Sequence, residues 1–136
     1  DIVTLFPEFF TSPLQTSLLG KAIANQIAEV HLTNPRDFTT DKHHRVDDEP
    51  YGGGAGMLMK PDPIFAAVES LPILPKRVII YMTPQGEPMR QNLFKELVGY
   101  DQLVLQSVAM GILKLLLNKQ YTKEDIEKFD NRQSYV

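Results

Sequence analysis

The stretch that decides the fold is an apolar strand and the turn behind it, Arg77-Val78-Ile79-Ile80-Tyr81-Met82 followed by Thr83-Pro84-Gln85-Gly86. After its first residue the strand is continuously apolar and rich in β-branched side chains, which is typical of a strand buried on both faces of a parallel sheet. Pro84 fixes its own backbone φ angle, and Gly86 permits a close approach to the backbone. We therefore expect a central strand whose carboxyl end leads into a tight turn that lines a pocket.

Helical and extended patterns alternate on both sides of this strand. Apolar residues recur at helical spacing in three segments, at about residues 12–27, 61–70 and 90–98. Short apolar or alternating runs predict three further strands, at residues 2–6, 29–33 and 102–105. The order β-α-β-α-β-α-β predicts an α/β fold in which a mostly parallel sheet is covered by helices. Ligands of such sheets bind beyond the carboxyl ends of the strands.

The composition is that of a soluble globular protein. Of the 136 residues, 43% are hydrophobic and 23% are charged, so one domain with a packed core is expected and a disordered chain is excluded. The chain contains no cysteine, which excludes disulfides and thiolate chemistry and is compatible with a reducing compartment. No apolar run is long enough to span a membrane, and the first residues do not resemble a secretion signal. We expect a cytoplasmic protein without membrane contact.

The net charge of −3 gives no general attraction for nucleic acid, so phosphate contacts must come from local clusters of basic residues. One such cluster lies in the segment from Asn34 to Met57, which carries Arg36, Lys42 and Arg45 and ends in a run of glycines. This segment is either a solvated, flexible loop or a loop whose basic side chains meet phosphates while its glycines let backbone amides approach a ligand. Because it offers few apolar anchors, we expect residues 38–56 to be poorly ordered without a bound nucleic acid.

The chemistry of individual residues in this loop narrows the choice of ligand. A Walker A phosphate loop is excluded because no Gly-Lys-Ser/Thr sequence comes after the glycines. His43 and His44 are adjacent and cannot both face one ion from a regular strand or helix, so no metal site is predicted. Asp47 has two possible roles. Its carboxylate can accept hydrogen bonds from the amino and ring N–H groups of guanine, or it can stabilise a turn.

Four stretches occur in the same order as in one enzyme family. They are Thr4-Leu5-Phe6-Pro7-Glu8-Phe9-Phe10, Leu19-Gly20-Lys21-Ala22, the segment from Asn34 to Met57, and Thr83-Pro84-Gln85-Gly86. Over residues 1–105 the chain thus resembles the TrmD-type bacterial tRNA (guanine-N1)-methyltransferases. The resemblance implies a SPOUT-class α/β fold with a trefoil knot, and an obligate homodimer whose active sites use both chains. It also implies transfer of the methyl group of S-adenosyl-L-methionine (AdoMet) to N1 of the guanosine beside the anticodon, position 37 of the tRNA.

The resemblance assigns roles to particular residues of this chain. The residues that match the family's first AdoMet-contacting loop are Tyr81, Met82, Thr83, Pro84 and Gly86. The residues that match the part of the loop holding the target guanine are Asp47, Gly54 and Gly56. Positive charge that can meet tRNA phosphates comes from Arg36, Lys42 and Arg45, an inference from chemistry as much as from the family.

After the fourth predicted strand the chain departs from the family pattern. The family continues into two glycine-rich loops that tie the knot around AdoMet, whereas this chain runs from Leu105 through Gln106 into the apolar run at residues 108–117. The family's general base, an Asp, and the Arg that assists it have no counterpart, so we assign no catalytic residue. We divide the chain into a truncated SPOUT-like methyltransferase domain at residues 1–105 and a helical segment at residues 106–136, with the knot incomplete or absent.

Two functions are compatible with these observations. The first is an AdoMet-dependent tRNA (guanine-N1)-methyltransferase. The second is a catalytically inactive remnant that acts as a dimerising or tRNA-contacting module. A small-molecule-binding α/β module without RNA would leave the segment from Asn34 to Met57 unexplained. As a continuous chain, residues 1–136 are expected not to methylate tRNA and to bind AdoMet weakly or not at all.

Overall fold

The main sheet consists of four parallel strands. A computed structural model of the protein describes residues 1–49, 58–82 and 86–107. In their order across the sheet, the strands are β2 (Leu32–Thr33), β1 (Ile2–Val3), β6 (Gln102–Ser107) and β5 (Arg77–Met82). β1 runs parallel to β2 and β6, and β6 runs parallel to β5. The predicted α/β class with a mostly parallel sheet is confirmed.

Two helices cover opposite faces of this sheet. On one face, Ile79 packs with the apolar residues of α3 (Pro61–Glu69). On the other face, Ile80 packs with the apolar residues of α4 (Gln91–Leu97). Successive side chains of a strand point to opposite faces, so burial on both faces accounts for the unbroken apolar run of β5.

Among the described strands, this apolar strand is not central, contrary to expectation. Within the described residues, β5 is at the edge of the sheet, and β1 and β6 are the inner strands. The apolar run reflects the cover that α3 and α4 provide above and below the strand, and such cover does not require a neighbouring strand on each side.

The predicted helix at residues 12–27 is divided into two. A short 3-10 helix comes first, and the helices come after it: Pro7–Phe10, α1 (Thr11–Gln15) and α2 (Ser17–Ala24). Thr16 is extended and Ser17 has a φ of 54°, so the backbone turns sharply at this point. Gly20 permits the turn, because a Cβ atom there would lie 2.5 Å from the backbone of Gln15. The apolar spacing continues through the turn, which is why the pattern predicted one helix.

The loop between β2 and α3 contains secondary structure of its own. It begins with a 3-10 helix and later forms an antiparallel pair of strands: Pro35–Phe38, β3 (Asp47–Asp48) and β4 (Leu58–Met59). Val46, just before β3, is fully buried, and its carbonyl accepts a hydrogen bond of 2.6 Å from the Lys60 backbone N–H. Residues 50–57 lie outside the described residues. Poor order of this loop without tRNA stays a prediction.

Three strands differ in length from those predicted. β1 and β2 are shorter, at Ile2–Val3 and Leu32–Thr33, and β6 continues past Leu105 to Ser107. The helical segment was expected to begin at residue 106, but Gln106 and Ser107 belong to β6. The rest of that segment and the knot loops concern residues from 108 onward, which lie outside the described residues, so the division into domains stays a prediction. Across the described ranges, no helix is long and apolar enough to cross a membrane.

Candidate functional site

The end of β5 and the loop that carries Asp47 lie at the same edge of the sheet and rest on the same apolar cluster. In a parallel sheet all strands end at one edge, and at this carboxyl edge β5 ends at Met82 and the loop that carries Asp47 begins after β2. The cluster lies between the sheet and α3, and its buried core includes Ile64, Val68, Ile79 and Val104. Phe38 near the start of the loop packs against this cluster, and Met59, in the strand that closes the loop, belongs to it. Tyr81, the last residue but one of β5, packs against that cluster too. The two segments predicted to hold the cofactor and the guanine are therefore tied to one place.

Buried polar side chains lie at this edge, on the side of the sheet that α3 covers. Tyr81 and Gln106 are opposite each other in the register of β5 and β6. Gln106 is fully buried, and neither of its amide atoms has a hydrogen-bond partner among the described residues; the same is true of the Tyr81 hydroxyl. Burial raises the pKa of that hydroxyl above its ordinary value, so it stays protonated. Buried polar groups are usually paired, so these groups are available to a polar ligand.

Gln102 and Gln106 give a matched test of buried amides on one strand. The Gln102 amide accepts from the Leu74 N–H at 3.1 Å and donates to the Pro72 carbonyl and the Asp1 carboxylate at 2.8 Å each. We expect Gln102→Met to lower the free energy of unfolding by about 1–3 kcal/mol because it leaves partners unpaired. Gln106→Met should raise the free energy of unfolding by about 1 kcal/mol. Urea unfolding measures both, and destabilisation by Gln106→Met would contradict an unpaired amide.

Asp47 is held by the strand pair and keeps its carboxylate free of ion pairs within the described part of the chain. Asp47 is opposite Met59 in the register of β3 and β4, and its side chain is half-buried. Its neighbour Asp48 is exposed, with a carboxylate oxygen 3.9 Å from the Lys60 Nζ atom. Because neighbouring strand residues point to opposite faces, the two carboxylates face different surroundings. Asp47 is thus the better placed of the two for hydrogen bonds to a base.

The three basic residues predicted to meet phosphates differ in their pairing. Arg36 is exposed in the second 3-10 helix, where its backbone N–H donates to the Asn34 side chain at 3.0 Å. Lys42 is also exposed, and neither it nor Arg36 forms an ion pair with a described residue. Arg45 is different, because its guanidinium donates to both carboxylate oxygens of Asp41 at 3.1 and 3.2 Å.

Asp41 remains ionised under all physiological conditions. The side chain of Arg45, then the backbone N–H groups of Arg45 and His43, hold the pKa of the Asp41 carboxyl well below its usual range. A carboxyl group whose pKa is lower in the folded state stabilises the fold fully above its unfolded pKa, which is about 4. This contribution is lost only as the pH falls below that value through the lower pKa of the folded state. Both members of the Asp41–Arg45 ion pair are therefore charged at neutral pH.

The His44 ring is engaged with neighbouring residues of the loop. His44 has a φ of 51°, and its Nδ1 atom lies 3.2 Å from the Arg36 carbonyl oxygen and 3.4 Å from the Thr39 hydroxyl oxygen. In the three described ranges, no group of three or more His, Asp or Glu side chains is arranged to hold a metal ion.

Several predicted site residues are not described, and two residues that matter were missed. Gly54, Gly56, Thr83 and Pro84 lie outside the described residues, while Gly86 is exposed at a bend. Asp41 was missed, although an Asp side chain commonly accepts a hydrogen bond from the backbone N–H two residues later in a turn, as Asp41 does from His43. Gln106 gave no signal, because a single Gln at the end of an apolar strand does not reveal its burial.

A separate cleft lies at the opposite edge of the sheet. It has a volume of about 470 Å³, and its lining includes Asp1, His31, Leu74 and Gln102, which precede or begin the strands. Its amide and carboxylate are already engaged, since Gln102 donates to Asp1 and His31 lies 3.5 Å from the same carboxylate. Of the residues matched to the family's ligands, none of those that the structure describes lines this cleft.

Known proteins share this sequence over most of its length. The family described as tRNA (Guanine-1)-methyltransferase TrmD matches residues 1–124. A tRNA (guanine-N(1)-)-methyltransferase of Acaryochloris marina is 80% identical over 106 residues, which are 77% of this chain and 45% of that protein. Proteins with the same name from Synechocystis sp. and Nostoc punctiforme are both 73% identical, over 77% of this chain and 46% and 44% of theirs. The chain spans about half the length of the curated relatives it matches. The resemblance is confirmed: the chain belongs to the TrmD family of tRNA (guanine-1)-methyltransferases.

Proposed function

We propose that the complete gene product is an AdoMet-dependent tRNA methyltransferase that modifies N1 of the guanosine beside the anticodon, position 37. The observation that carries the proposal is the common anchorage of two segments. The loop bearing Asp47 and the strand ending in Tyr81 and Met82 rest on one apolar cluster at the carboxyl edge of a parallel sheet. This is the edge at which such sheets bind ligands.

The groups at this edge fit AdoMet as the methyl donor. Tyr81 and Gln106 offer buried polar atoms with no partner among the described residues, which suits a ligand that combines polar groups with an apolar surface. The residues that would hold the cofactor are Tyr81, Met82, Thr83, Pro84 and Gly86. When bound, AdoMet supplies an activated methyl group.

The chain's own residues would bind and orient the tRNA. The half-buried Asp47 would accept hydrogen bonds from the guanine edge, with Gly54 and Gly56 allowing the backbone to approach the base. Arg36, Lys42 and Arg45 would contact phosphates, which fix the position of the tRNA without reading its sequence. Transfer would form a bond between the methyl carbon and guanine N1 as the bond from that carbon to the donor's sulfur breaks and the sulfur keeps the electron pair. The N1 proton would pass to a base, and residues 1–136 contain no counterpart of the family's base.

A homodimer in the cytoplasm completes the proposal. Apolar side chains project from α2 and α4, with Leu18, Phe94 and Val98 at least half exposed. Burial of such side chains between two chains would stabilise a dimer. Sedimentation of the gene product at the mass of two chains would support this part of the proposal, and a monomer at all concentrations would contradict it.

Methyl transfer to matched tRNA transcripts tests the proposed function. The complete gene product is incubated with AdoMet labelled in its methyl group and with two unmodified transcripts, which carry either guanosine or adenosine at position 37. We expect label to enter only the guanosine transcript, as N1-methylguanosine, because the adenine edge cannot offer Asp47 the same pair of donors. Transfer to neither transcript, or equally to both, would contradict the proposal.

A further inference from the structure

One carboxylate organises the exposed turn at residues 41–45, in the loop between β2 and α3 that carries Arg36, Lys42 and Arg45 (the basic loop). The Asp41 Oδ2 atom accepts hydrogen bonds from the His43 and Arg45 backbone N–H groups at 3.0 and 3.1 Å. The same oxygen accepts from the Arg45 Nε atom at 3.2 Å, and Oδ1 accepts from Arg45 Nη2 at 3.1 Å. This carboxylate therefore fixes both the backbone of the turn and the direction of one arginine side chain.

The turn is also fixed to the body of the protein. His44 adopts the left-handed backbone conformation, with a φ of 51°, and its N–H donates to the Asp41 carbonyl at 3.0 Å. One residue after Arg45, the fully buried Val46 anchors the chain, and its carbonyl is bonded to the Lys60 N–H. The backbone that carries the guanidinium is thus held by hydrogen bonds within the turn and by a buried residue next to it.

The orientation of the pair leaves the arginine outermost. The Asp41 side chain is 25% exposed, whereas the Arg45 side chain is 63% exposed. A guanidinium has five N–H donors, and Asp41 uses two of them, so three remain. Arginine commonly binds phosphate through two such N–H groups at once, and lysine cannot form this bidentate contact.

We propose that Asp41 is a positioning residue for tRNA binding: it holds the Arg45 guanidinium in the orientation in which its free N–H groups meet a backbone phosphate. The inference rests on the proposed function, because tRNA is the phosphate-bearing partner. Binding then requires less ordering of a long, flexible side chain, which is the usual advantage of a preorganised contact.

The charge of Asp41 makes the test sharp, because simple electrostatics predicts the opposite sign. Removing a surface carboxylate makes a protein more positive and should strengthen tRNA binding. Asp41→Asn removes the charge but keeps an oxygen that can cap the His43 and Arg45 N–H groups, so it acts mainly on the guanidinium contact. Asp48→Asn is the matched control, since it removes the same charge nearby from an exposed side chain that contacts the Lys60 Nζ atom at 3.9 Å and accepts from the Glu49 backbone N–H at 2.9 Å, a bond that an amide oxygen can keep.

The experiment measures the affinity of the complete gene product for an unmodified tRNA transcript at one fixed salt concentration. We expect Asp41→Asn to weaken binding about 3- to 10-fold, and Asp48→Asn to leave it unchanged or strengthen it. In an Arg45→Ala background, Asp41→Asn should cause no further loss, because the side chain that it positions is absent.

Each other outcome has a distinct meaning. If wild-type protein does not bind tRNA, the proposed function fails and this inference fails with it. If the wild type binds and Asp41→Asn binds as well or better, only the positioning role of Asp41 is overturned. A loss that persists undiminished in the Arg45→Ala background also overturns it, because Asp41 would then act through the turn and not through Arg45.

Discussion

Asp47→Ala in the complete gene product is expected to lower the rate of tRNA methylation about 5- to 150-fold while leaving AdoMet binding nearly unchanged. A side chain that makes paired hydrogen bonds to a base edge contributes about 1–3 kcal/mol, which corresponds to that range. Asp47 lies on the strand pair of the basic loop, and the residues matched to the cofactor lie on the other segment, at the end of β5 and after it. Loss of the carboxylate should therefore affect the base and not the methyl donor.

The neighbouring carboxylate is the control for this change. Asp48→Ala removes an equal charge from an exposed position on the other side of the strand, so methylation should change little. Methylation rates with saturating AdoMet, together with calorimetric titration of AdoMet, separate the two effects. Equal losses of methylation and AdoMet binding in Asp47→Ala would remove Asp47 from the guanine site.

Residues 1–136 produced alone are expected to transfer no measurable methyl group to tRNA and to bind AdoMet weakly or not at all. Methylation at N1 requires removal of the N1 proton, and a positioned general base contributes on the order of 10²–10⁴ in rate. The chain has no counterpart of the family's base. The cofactor must also be held in line with its acceptor by loops on several sides, and only one loop that matches the family's cofactor contacts is present.

A chimera tests whether the loss arises from the sequence after residue 105. Residues 1–105 are fused to the remaining length of the Acaryochloris marina relative, which is 80% identical over its match to this chain. We expect this fusion to methylate a tRNA transcript in the same radiolabel assay in which residues 1–136 are silent. Activity of residues 1–136 alone would contradict the prediction, because it would show that methyl transfer does not require the family's base and knot loops.

The elements that local patterns determine were predictable from the sequence. The helix expected at residues 61–70 is Pro61–Glu69, and the one expected at residues 90–98 is Gln91–Leu97. In both, apolar residues recur on one face, and that face is buried against the sheet, so the pattern and the packing agree. β5 was predicted at its observed bounds because its apolar run matches burial on both faces of the sheet.

The features that depend on contacts between distant residues could not be predicted. The break at Thr16 arises where α1 and α2 approach so closely that only glycine fits at position 20. β3 and β4 have two residues each and pair within a loop whose sequence shows no hydrophobic periodicity, so no pattern predicts them. The position of β5 at the edge of the described sheet depends on strand order, which an apolar run does not reveal.

The segments of the candidate site could be predicted from the sequence, but the contact between Asp41 and Arg45 could not. Family motifs indicated the segments around Asp47 and Tyr81, and the fold accounts for their proximity through the cluster on which both segments rest. The clamp of Asp41 on Arg45 depends on the path of the turn, in which His44 takes a left-handed conformation. The proposed role of Asp41, a carboxylate that strengthens binding of the polyanionic tRNA, is the opposite of what its negative charge alone predicts.

A structure of the complete gene product with tRNA and a non-reactive AdoMet analogue tests the central claim most directly. The claim is that the guanine and the methyl donor meet at the carboxyl edge of the sheet, between the loop bearing Asp47 and the turn after Met82. We predict a guanine edge within hydrogen-bond distance, about 3 Å, of the Asp47 carboxylate, and the analogue against Tyr81, Met82 and Gly86. An analogue bound instead in the cleft lined by His31 and Gln102, at the amino edge of the sheet, would contradict the claim.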